Sequence, residues 1–168
     1  MTYTTYLIIS LVFDLIVAGL ISWAAFRDAK TRIVSPTIQL SLLGTALAHF
    51  GFMLWVGIAG YFDTINVWSA LKLLFAGILM FTIYITLVLI FKTGIGGADT
   101  KVTSIMALYL GLGGALVMIV GHFVSAIAYV IFEKVAHKKH VASVPLMVFI
   151  LIGYIAALAV EWIPIILQ

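Results

Sequence analysis

Two carboxylates in this chain stand where they could do chemistry on water. Asp99 follows the run Gly94-Ile95-Gly96-Gly97-Ala98 and precedes Thr100-Lys101. Asp28 follows the first apolar run, with Arg32 a few residues later. Two aspartates brought close together cannot both ionise, so one keeps a proton. Such a pair can take a proton from water with one carboxylate and donate a hydrogen bond with the other. That is sufficient to cleave an amide without a metal or a covalent intermediate. The glycines let the backbone approach an extended substrate strand and adopt positive φ. An aspartate opening a helix is also held ionised by the backbone N–H groups of the first turn. The plainer alternative is a flexible glycine-rich loop ending in an N-cap aspartate, and the residues alone leave both open.

The elements that must position these groups follow from composition. Of 168 residues, 65% are hydrophobic and 9% charged, against about 25% charged in a soluble domain. A soluble fold of this size cannot hide so much apolar surface. The apolar runs are far longer than the ~10-residue alternating segments of a membrane barrel. The expectation is an all-α, polytopic membrane protein forming one domain over residues 1–168, without internal repeats or low-complexity segments. Cysteine is absent, which excludes disulfides, thiolate metal sites and a cysteine nucleophile. No cofactor is expected. The first apolar run has no basic residue before it and no small-residue cleavage site after it, and reads as a retained helix.

A membrane span needs roughly 20 apolar residues, and the runs that approach this give six transmembrane helices. They lie at about Tyr3–Phe26, Pro36–Tyr61, Val67–Phe91, Asp99–Leu112, Gly113–Phe132 and Val141–Ile166. Pro36 and Pro145 fit first-turn positions, where a missing N–H costs nothing. The fourth helix is short, reaching about 20 Å. The Gly111, Gly113, Gly114 cluster predicts a turn after it. Every basic residue except Lys72 falls in the Arg27–Ser35 loop, between Lys92 and Lys101, or in the Glu133–His140 loop. The positive-inside rule then puts these three loops in the cytosol and both termini outside. Asp28 and Asp99 accordingly face the cytoplasm at similar depth in a multi-pass cytoplasmic-membrane protein.

Gly96-Gly97-Ala98-Asp99, followed by Lys101, resembles the G-x-hydrophobic-D motif of the type IV prepilin and archaeal preflagellin peptidases, which are GxGD-type intramembrane aspartyl proteases. Asp28, with Arg32 and Ile33 after it, resembles their first motif. Val144-Pro145-Leu146 resembles the proline-containing start of their last helix. The similarity runs over nearly the whole chain in order, spacing and helix count. Val34 stands where bacterial members usually carry Pro, and Ala98 where they carry Gly, which is closer to the archaeal or short form. The resemblance implies that Asp28 and Asp99 are the catalytic pair of an endopeptidase. Gly96, Gly97, Ala98, Lys101 and Arg32 would shape the site. The partners it implies are prepilin-like or preflagellin precursors, each with a basic leader, a small residue at the cut and then an apolar helix. Methyl transfer, which the larger cysteine-bearing relatives also perform, is not expected.

Asp14 lies partway along the first helix, about 21 Å from Asp28 by helix rise. Intramembrane charge is expensive, and Lys72 is its expected structural partner. His49 and His122 are expected to be hydrogen-bonded core histidines and not a metal site. The His137-Lys138-Lys139-His140 run reads as a topology determinant beside anionic lipid, with no nucleic-acid partner. The rival reading is a small transporter or channel with Asp14, Lys72, His49 and His122 as a polar path. Oligomeric state is not legible in the sequence.

Overall fold

The computed structural model describes residues 1–91, 97–136 and 145–167. The described chain is all-α, with the order α1 (Tyr3–Thr31), α2 (Pro36–Ala59), α3 (Val67–Phe91), α4 (Gly97–Ala136) and α5 (Leu146–Ile166). All five are long and apolar enough to cross a membrane. They are apolar on every side. Ile21, Ile38, Leu42, Met106, Met118, Met147, Ile150 and Tyr154 are buried inward, while Leu40, Trp68, Leu89 and Val120 face outward, exposed. A helix apolar all round belongs in a lipid bilayer, where its backbone hydrogen bonds are satisfied within the helix.

The helix ends are set by local chemistry. Thr2 caps α1, its Oγ1 accepting from the Thr5 N–H at 3.2 Å. Ser35 caps α2 through the Ile38 N–H, with Pro36 in the first turn as expected. The Asn66 carboxamide oxygen accepts from the Ser69 N–H at 3.1 Å where α3 begins. Gly60 closes α2 in the left-handed region at φ 63°. α1 runs past the expected end at Phe26 to Thr31. Lys30 covers the Phe26 ring at 4.2 Å from its centroid, and Arg32, at φ 57°, stops the helix by donating its N–H to the Asp28 carbonyl. Asp28 is therefore on a helix and not in a loop.

The expected fourth and fifth helices fall within α4, which is kinked at Gly111 by non-helical torsions (φ 71°, ψ 179°). Before Gly111, α4 lies antiparallel to α3: a Cβ at Gly77 would stand 2.9 Å from the Leu108 Cβ, and one at Gly111 3.1 Å from Leu73. After Gly111, α4 lies antiparallel to α5. Gly121 faces Gly153, where an added Cβ would come within 3.0 Å of the Gly153 Cα, and the Tyr129 and Phe149 rings are 5.6 Å apart. Small residues at such crossings let helix backbones approach without a hydrophobic driving force. α4 also stays helical to Ala136, through the start of the expected Glu133–His140 loop.

Candidate functional site at the C-terminal end of α1

Asp28 is 7% exposed, near the end of α1. Its Oδ2 accepts a hydrogen bond from the Met147 N–H at 3.0 Å. Met147 lies in the first turn of α5, whose N-cap, Pro145, supplies no side-chain acceptor. A helix start has orphan N–H donors and a partial positive charge. Asp28 thus caps α5 from another helix, and that contact fixes the position of one of its oxygens.

Asp99 is half-buried in the first turn of α4. Its carbonyl accepts from the Thr103 hydroxyl at 2.9 Å, and the Thr100 carbonyl accepts from the Ser104 hydroxyl at 2.7 Å. Tyr84 of α3 lies within electrostatic reach of Asp99. The two aspartates sit at the same end of the bundle: Pro36, just after α1, and Lys101, just after Asp99, line one cavity with Phe81. No Cα atom of α1 lies within 8 Å of one in α4 among the described residues. A shared proton therefore requires both side chains to extend across the gap between these helices.

The other predicted site residues separate. Ala98 is half-buried and packs against the core. Gly97 opens α4, while Gly94 and Gly96, together with Lys92, lie outside the described residues. Lys101 and Arg32 are exposed, and neither pairs with a described carboxylate. Lys101 stands at one end of an apolar groove of about 520 Å³ that continues along Leu40, Leu43, Ile78 and Leu108. Val144 and the His137–His140 run lie outside the described residues.

The intramembrane polar residues do not join this site. Asp14 does not pair with Lys72 as expected; instead Tyr109 Oη donates to its Oδ1 at 2.6 Å and Trp162 Nε1 to its Oδ2 at 2.8 Å. Tyr154 donates to its carbonyl at 3.2 Å. Three aromatic residues from two helices thus hold one buried aspartate of α1. The sequence signal for them was available: a buried Tyr or Trp brings a polar handle that must find a partner. Lys72 lies on the exposed side of α3. His49 packs between the rings of Phe13 and Tyr109, 5.3 and 4.6 Å away, and its Nδ1 has no partner among the described residues. Among the described residues His122 is buried against Phe123 with both nitrogens unpartnered, so the expectation of a hydrogen-bonded histidine is not met there. Among the described residues no cluster of His, Asp or Glu could hold a metal. Compared with known proteins, the chain matches no family model, no curated protein and no solved structure.

Proposed function

We propose that this chain is an aspartyl endopeptidase of the type IV prepilin and archaeal preflagellin peptidase kind. In this reading Asp28 and Asp99 face the cytoplasm and together activate water to cut the leader from a pilin-like precursor. The observation that carries it is the placement of Asp28: buried, tied by one oxygen to the start of α5, at the same end of the bundle as Asp99. The Met147 N–H engages one Asp28 oxygen, and in this reading the other oxygen is left for the water and the shared proton. Glycine at the cut lets the precursor lie extended beside the carboxylates, while its apolar helix stays in the bilayer.

This reading includes six membrane crossings. α4 lies antiparallel to α3 before Gly111 and antiparallel to α5 after it. α5 starts beside Asp28, so both ends of α4 belong at that end. The chain then reverses at Gly111, and α4 is two short crossings joined at one glycine. An even number of crossings returns the termini to one side, and the basic loops set that side as the outside.

The test is precursor cleavage in membranes. Asp28→Asn and Asp99→Asn each lower the cleavage rate by at least about 10²-fold, the usual scale of a lost acid or base. The carboxamide oxygen introduced by Asp28→Asn can still accept the Met147 N–H, so the fold is kept. Asp14→Asn leaves cleavage intact. Cleavage that survives either of the first two changes sinks the proposal.

A further inference from the structure

At the opposite end of the bundle from Asp28 lies a second cavity, of about 660 Å³, to which all five helices contribute. Its volume suits a small molecule. Asp14 and Glu161 put two carboxylates on its wall, and Lys72 puts one cation there. The Tyr6, His49 and Tyr109 rings line the same space. The Asp14 carboxylate accepts from two neutral donors, the Tyr109 hydroxyl and the Trp162 indole, and among the described residues no cation pairs with it. A carboxylate accepts at about four lone-pair positions, so two donors leave capacity on the cavity side. A carboxylate buried in a membrane without a counter-charge is costly, and the room beside it is what a cationic ligand would need. His49 Nδ1, on a residue of the same wall, is buried without a partner among the described residues.

We infer that this cavity is a second binding site, separate from the Asp28 end. It takes a small zwitterion whose ammonium lies against Asp14 and Glu161 among the aromatic rings and whose acidic group lies against Lys72. Aromatic faces attract an ammonium once it is desolvated, and a carboxylate beside them adds direction to the attraction. Lys72, exposed on α3 and unpaired with Asp14, is left to hold the acid end. A free solute and a lipid headgroup both carry this chemistry. The site does not depend on the peptidase reading, since none of its residues belongs to the Asp28–Asp99 pair.

The experiment uses the full chain in phosphatidylglycerol vesicles, which contain no ammonium, and follows tryptophan fluorescence because Trp162 bonds Asp14 directly. Phosphoethanolamine is titrated as the free probe. In a parallel arm, phosphatidylethanolamine is added to the vesicles in steps. A saturable shift with the free probe assigns the site to a solute, and a shift seen only with the lipid assigns it to a headgroup. In either case Asp14→Asn and Lys72→Gln each weaken the response by on the order of tenfold. The carboxamide introduced by Asp14→Asn can accept from the Trp162 indole through its oxygen and donate to the Tyr109 hydroxyl through its nitrogen. Lys72 is exposed, so neither change should unfold the chain; thermal unfolding of both variants checks this. No saturable shift in either arm, or an undiminished shift in Lys72→Gln, overturns the inference.

Discussion

At the scale of single residues, two aspartates of α1 are held in opposite ways. Asp28 accepts from a backbone N–H at a helix start, and Asp14 accepts from two side chains. Removing one donor from a buried carboxylate costs about 1–3 kcal/mol. Tyr109→Phe and Trp162→Phe should each lower thermal stability in detergent by that amount. Because both act on one carboxylate, their double variant should depart from additivity; strictly additive losses would show that the two bonds are independent. Asp28→Ala should cost about 0.5–2 kcal/mol more than Asp28→Asn, since only alanine leaves the α5 N-terminus uncapped. Equal unfolding temperatures for the two variants would remove the capping role.

At the scale of elements, two glycines decide how the helices meet. Gly111 sits at φ 71°, ψ 179°, a region that costs a residue with a side chain about 1–3 kcal/mol. Gly111→Ala should lose that much stability, whereas Gly113→Ala, where an added Cβ meets nothing within 4 Å, should not. A Cβ at Gly153 would run into the Met118 carbonyl oxygen, and the extra methyl should cost about 1–3 kcal/mol by overpacking. Melting curves of the three variants separate these effects. Much of this level was legible in the sequence. Pro36 announced the start of α2, and the glycines at 111–114 announced the non-helical torsions at Gly111. The sequence understates the length of α1 because Arg27, Asp28 and Lys30 are charged, yet helix continues there with the Lys30 ammonium over the Phe26 ring. The cap on α5 was not legible at all. Its acceptor is 119 residues away along the chain, and no local pattern reports a hydrogen bond between distant helices.

At the scale of the whole molecule, composition alone placed the chain in a membrane, because 9% charged residues cannot wet a soluble surface. The positions of the basic loops also put the two aspartates at one end. What composition left unread is the polar cavity at the other end, which exists only because five helices bring distant residues together. The absence of cysteine makes topology directly measurable. Single cysteines at Lys30 and Ala136, both exposed, should react with a membrane-impermeant maleimide from the same side. Cysteines at Asp63 and Leu112, also exposed, should react from the other. Labelling of Ala136→Cys together with Asp63→Cys would mean that α4 crosses once.

The central claim is that Asp28 and Asp99 act as a unit on one water, and the most direct measurement is single-turnover cleavage of a precursor by Asp28→Asn, Asp99→Asn and the double variant. Residues that act as a unit are far from additive when removed. The double variant should therefore be no slower than the slower single one, both singles having already lost the reaction. Losses that multiply in the double variant, or full cleavage by either single one, would contradict a shared site.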